Sequence, residues 1–128
     1  MTDKHSHDSL VKGLIDYFQK MGLEIRFANY KGYSKPIVIK RHAPDVLAID
    51  KEAGLAYIGE AKLCSELYDQ ITKEQFEDYP KRIIKNGRSA GKLMQFYIGV
   101  PQECHTKIKD IFKESEIPWK DNIQVLGL

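Results

Sequence analysis

The chain has 128 residues, 42% hydrophobic and 30% charged, with a formal net charge of +2; this fits one globular domain over 1–128 and excludes a disordered chain. No apolar run reaches the roughly 18 residues of a membrane span, and the polar start Met1-Thr2-Asp3-Lys4-His5-Ser6-His7-Asp8 carries no secretory signal. Cys64 and Cys104 make neither a disulfide framework nor a zinc spacing, so a reducing, cytoplasmic compartment is expected.

Residues 1–7, with His5 and His7, read as a frayed tail. A helical stripe follows: Leu10, Val11, Leu14, Ile15, Phe18 and Met21 share one face, and Gly22 stands where a C-terminal cap belongs. Residues 23–28 read as a strand, 29–34 as a turn, and 36–39 as a short β-prone run that could add a strand. The apolar runs 46–49 and 55–58 flank the polar, Gly-ended loop 50–54 and predict a hairpin whose strands are covered on both faces. A second helical region extends to about Asn86-Gly87. Thr72-Lys73-Glu74-Gln75 fits a capping box within it, and Pro80 should kink it or end its first part. Residues 93–100 form the next strand. Cys104, Ile108, Ile111 and Phe112 mark a third helix, and residues 123–126 a last strand. The order α-β-β-β-α-β-α-β predicts a mixed central sheet flanked by helices.

Basic charge is segregated along this order. Residues 25–44 contain no acid but hold Arg26, Lys31, Lys35, Lys40 and Arg41; residues 79–102 contain none but hold Lys81, Arg82, Lys85, Arg88 and Lys92. A basic surface beside an acidic site suits a phosphate-backbone binder, although charge runs are also ordinary solvated faces.

The hairpin's open end carries the chemistry. Glu60 and Lys62 follow the apolar run 55–59 on one side of the strand, and Asp45 precedes the partner strand directly after Pro44. A turn at 50–54 brings Asp45 opposite residue 59 or 60. Two carboxylates and an ammonium beside a buried sheet are costly unless they pair or bind a metal. Two converging oxygen ligands suit Mg²⁺ or Mn²⁺, which polarises a phosphate and activates bound water. The plainer reading is an exposed Glu60–Lys62 salt bridge with Asp45 capping a turn.

Pro44-Asp45, fourteen residues, then Glu60-Ala61-Lys62 resembles the PD-(D/E)xK nuclease superfamily, and Gln75-Phe76-Glu77-Asp78-Tyr79 resembles its QxxxY element. The run Ile58-Gly59-Glu60-Ala61-Lys62 followed by Thr72-Lys73-Glu74-Gln75 is also similar to small VRR-type and Holliday-junction-resolvase-like nuclease domains. The resemblance implies a restriction-endonuclease-like core and a Mg²⁺- or Mn²⁺-dependent deoxyribonuclease, an endonuclease in the first instance. It makes Asp45, Glu60 and the Ala61 carbonyl metal ligands and Lys62 the catalytic lysine. Gln75 and Tyr79, four apart on a helix, would reach the site or the adjacent phosphate; the alternatives are a Thr72 cap for Gln75 and core packing for Tyr79. Lys40, Arg41, His42, Tyr79, Lys81 and Arg82 are the expected DNA contacts. Many members carry a further acid on the first helix. Val11 and Lys12 occupy that region here, and Asp8 is the nearby substitute. Double-strand or structure-selective cutting usually needs two sites, so a homodimer is expected. The alternative function is a nucleic-acid-binding or assembly module that keeps the fold without catalysis.

Overall fold

The computed structural model describes residues 6–128; His5 and the rest of the expected tail before Ser6 lie outside them. Helix α1 (His7–Lys20) begins at a reciprocal cap: Ser9 N–H donates to Ser6 Oγ at 3.1 Å and Ser6 N–H to Ser9 Oγ at 2.9 Å. Gly22, at φ +84°, turns the chain out of α1 in a conformation that costs other residues energy. Strands β1 (Glu24–Ala28), β2 (Val46–Asp50) and β3 (Leu55–Ala61) form an antiparallel meander. Helix α2 (Gln70–Asp78) leads to β4 (Gln95–Val100), and α3 (Ile108–Glu114) to β5 (Ile123–Gly127). The sheet order is β1-β2-β3-β4-β5, with β3, β4 and β5 parallel.

Three 3₁₀ segments interrupt the expected order, at Cys64–Glu66 before α2, Tyr79–Lys81 after it, and Gln102–Lys107 before α3. Residues 36–39 form no strand; Ile39 makes only an isolated bridge to His42. The second helical region is much shorter than its composition suggests. Pro80 sits at the start of the 3₁₀ turn, where its missing N–H is harmless, and residues 82–94 run as a folded loop closed by the Ile83–Leu93 bridge. Thr72 does not cap α2 either. Asp69 is the N-cap, and Thr72 Oγ1 donates to the Glu66 carbonyl at 2.7 Å.

Parity along the strands divides the core into two layers. Tyr57, Ala61 and Tyr97 pack with Leu10, Val11, Leu14, Ile15 and Phe18 of α1. Ile58, Phe96 and Ile98 pack with Phe76, Tyr79, Ile108 and Phe112 on the other face. Gly59 lets α1 approach β3 closely: a Cβ there would lie 3.1 Å from the Phe18 ring and 3.3 Å from Val46. Fully burying one such Leu, Ile or Phe contributes about 1.5–3 kcal/mol, so this two-sided packing carries the fold.

The cysteines correct the sequence reading. Cys64 and Cys104 are joined in a disulfide with Cα atoms 5.9 Å apart. They lie 40 residues apart in sequence, but β3 and β4 are parallel neighbours whose exits lie side by side. Both cysteines are therefore oxidised in this state, which gives no support to a reducing compartment. Among the described residues no helix is long and apolar enough to cross a membrane.

Candidate metal centre

Register brings the carboxylates together. Val46 pairs with Gly59, so the preceding Asp45 faces the following Glu60 across the hairpin's open end. Both are buried, Asp45 at 5% exposure and Glu60 at 3%, and Lys62 at 7% lies beside them. Asp45 Oδ2 accepts the Ala61 N–H at 2.8 Å, and Oδ1 lies 3.4 Å from Asn29 Nδ2. Lys62 Nζ stands 3.6 Å from Glu60 Oε2. Glu60 Oε1 is buried without a hydrogen-bond partner among the described residues. The pair is thus neither an exposed salt bridge nor a turn cap.

A third group comes from α1. His7 Nε2 lies 3.1 Å from Asp45 Oδ2, and one ligand atom each of His7, Asp45 and Glu60 falls within 4.8 Å of the others. The frayed-tail reading therefore fails at residue 7. The signal was in the sequence: Ser6 and Ser9 can cap reciprocally, and His7 lies three and four residues before Leu10 and Val11, extending the buried stripe by one turn. Asp8, the substitute acid suggested by sequence, is exposed on the same first turn and does not join the group.

The electrostatics divide the two carboxyls. Burial, followed by the neighbouring Asp45 charge, pushes Glu60 well above the usual carboxylate range, and Lys62 offsets only part of this. Burial would also raise Asp45, but the His7 hydrogen bond, contact with Glu60 and the Ala61 N–H outweigh it and leave Asp45 low. The hydrogen bond to Asp45 raises the His7 imidazole against its partial burial. Of the two carboxyls, Glu60 is thus the one that burial and its neighbour push toward the protonated form, and Asp45 the one held toward the ionised form.

Gln75 and Tyr79 lie behind this centre. Gln75 is buried, and Tyr79 is fully buried at 0%; Gln75 Oε1 and the Tyr79 hydroxyl have no hydrogen-bond partner among the described residues. Burial and then the Glu60 charge hold the Tyr79 phenol above its usual range, so it remains an O–H donor. A fully buried Tyr79 cannot touch a polymer outside, which removes it from the expected DNA contacts. Ala61 enters the site through its N–H to Asp45.

The basic residues do not form one rim around the site. Arg41 is held by carboxylates of α2, with Nη2 2.8 Å from Asp78 Oδ1 and 3.1 Å from Glu77 Oε1, and His42 Nε2 lies 2.8 Å from Glu74 Oε1. These contacts fasten the loop before Asp45 to α2 and match the charge locally. Lys40, in a left-handed turn at φ +64°, and Lys81 are exposed, and Arg82 is half-buried. Arg88 donates to the Glu52 carbonyl and Ser89 to that of Ala53 at 2.6 Å, fixing the 82–94 loop to the β2–β3 turn. Five strand residues separate that turn from Glu60, roughly 16 Å. Arg88, and the loop that carries Lys85 and Lys92, therefore belong to the opposite end of the sheet, contrary to a basic segment 79–102 flanking the site throughout.

Compared with known proteins, the chain matches no family model, no curated protein and no solved structure.

Proposed function

We propose that the chain is a metal-dependent nuclease with a restriction-endonuclease-like core, hydrolysing DNA phosphodiester bonds at His7, Asp45, Glu60 and Lys62. The observation that carries this reading is the buried Glu60 Oε1, without a hydrogen-bond partner among the described residues, beside Asp45 and His7 in a donor set that suits a divalent cation. A spread of 4.8 Å is slightly more than twice a ~2.1 Å metal–oxygen bond, so small side-chain movements suffice. Imidazole with two carboxylates is a softer donor set than Mg²⁺ prefers, which favours Mn²⁺ over Mg²⁺.

A cation bound there supplies polarisation of a phosphate oxygen and a water of lowered pKa. Asp45, fixed by the Ala61 N–H, Glu60 and His7 would hold the ion. Lys62 Nζ, buried beside Glu60, orients the attacking water and offsets charge developing on the phosphate. Exposed Lys40 and Lys81 supply phosphate contacts, while Arg41, held by the α2 carboxylates, positions the loop that leads into Asp45.

The test is cleavage of duplex, single-stranded, flapped and four-way-junction DNA with Mn²⁺ or Mg²⁺, comparing the parent with Asp45→Asn. Cation-dependent cutting that the substitution abolishes supports the reading. A parent that binds the cation and cuts none of the four substrates leaves the non-catalytic binding module in its place.

A further inference from the structure

We propose that Cys64 and Cys104 form a reversible thiol–disulfide site, responsive to small thiols of the glutathione class, that sets the order of the segment carrying Lys62.

The two cysteines are unequal partners. Cys104 is 1% exposed in the core between the sheet and α3, and its N–H is held by the Pro101 carbonyl at 3.1 Å. Cys64 is half-buried and lies two residues beyond Lys62. Lys62 N–H donates to the Gly99 carbonyl at 3.0 Å, the last rung between the β3 and β4 exits. Beyond it the turn is held by Leu63 N–H to Glu66 Oε1 at 2.7 Å and Glu66 N–H to the Leu63 carbonyl at 2.9 Å, and its far end by Thr72 Oγ1 of α2 to the Glu66 carbonyl at 2.7 Å. Leu67 is the next buried anchor. The disulfide is therefore the covalent tie between the start of the 63–66 turn and the 3₁₀ segment that follows β4.

Cys64 is the half-buried residue of the pair and Cys104 the buried one, so attack falls on the Cys64 sulfur. A thiolate of the glutathione class attacks it, the Cys64–Cys104 bond breaks, and Cys104 leaves as a thiolate that takes a proton from water. A second small thiol displaces the first from Cys64, giving a Cys64 thiol and the oxidised small disulfide. Two electrons pass to the protein, and the reverse sequence restores the bond. Opening it frees the 63–66 turn and loosens Lys62, while Asp45 and Glu60, on β2 and β3 pairing, keep their places.

The parent protein is equilibrated with excess reduced or excess oxidised glutathione. Alkylation and mass spectrometry should then count two free thiols or none. Amide exchange over 62–66 should be at least about tenfold faster in the reduced form, with β3 and β4 unchanged. Cys64→Ser, at the half-buried position, should exchange at the reduced rate in both buffers; Cys104→Ala gives the same comparison from the core side. A thiol count that does not follow the buffer, or equal exchange over 62–66 in both states, overturns the proposal. Its consequence for cleavage, a slower rate when reduced with unchanged Mn²⁺ affinity, rests on the nuclease reading. A parent that cuts no DNA defeats that reading alone, because thiol count and exchange do not depend on it.

Discussion

His7 Nε2 lies 3.1 Å from Asp45 Oδ2 although 38 residues separate them, so the first turn of α1 closes one side of the carboxylate pair. The contact is made possible by the Ser6–Ser9 cap, which fixes where the helix starts and hence which way His7 points.

If His7 is a ligand, His7→Ala should weaken Mn²⁺ binding by at least about tenfold, measured by calorimetry or Mn²⁺ paramagnetic relaxation. Asp8→Ala should leave the affinity at the parent value. Equal losses in both variants would mean that the substitutions disturb the first turn of α1 rather than remove a ligand atom.

Cation binding should expel protons. Glu60 is pushed well above the usual carboxylate range and His7 is raised, while coordination needs both deprotonated, so binding competes with protons at these two groups. Mn²⁺ affinity should therefore rise with pH, and calorimetry in buffers of different ionisation enthalpy should report net proton release. Binding heats independent of buffer would contradict this.

The metal-free protein should show the opposite trend in stability. A raised Glu60 contributes stability that is present below its unfolded value and lost as pH rises through its folded one. His7, also raised, adds stability below about 6.5 that is lost as pH rises through its folded value. Glu60→Gln should accordingly stabilise the apo-protein toward alkaline pH, by about 1–3 kcal/mol in urea unfolding, while removing cation affinity.

Lys62→Ala separates chemistry from binding. With its ammonium 3.6 Å from Glu60, its loss should slow cleavage by at least about 10²-fold with little change in DNA affinity. Excess cation should partly restore Asp45→Asn, which weakens a ligand, and should not restore Lys62→Ala.

For DNA binding, charge reversal at exposed Lys40 or Lys81 should weaken all sequences alike and lower the salt dependence. Arg41→Ala should change that salt slope less, because its guanidinium is engaged by Glu77 and Asp78. A larger salt-slope effect at Arg41 than at Lys81 would show that phosphate displaces the α2 carboxylates.

Local pattern alone determined the α1 stripe, the 46–58 hairpin and the placing of Asp45, Glu60 and Lys62 at its open end. Those features depend on helical spacing and strand alternation, which are properties of neighbouring residues. Tertiary structure decided what lies far apart in sequence. It bent α1 over the sheet so that His7 meets Asp45, and laid β3 beside β4 so that Cys64 meets Cys104. It also gave the Arg41 charge and the His42 ring to α2 carboxylates and fixed Arg88 at the β2–β3 turn. Such pairings depend on which surfaces pack together, and the two-sided burial of β3 and β4 sets that for the whole chain at once.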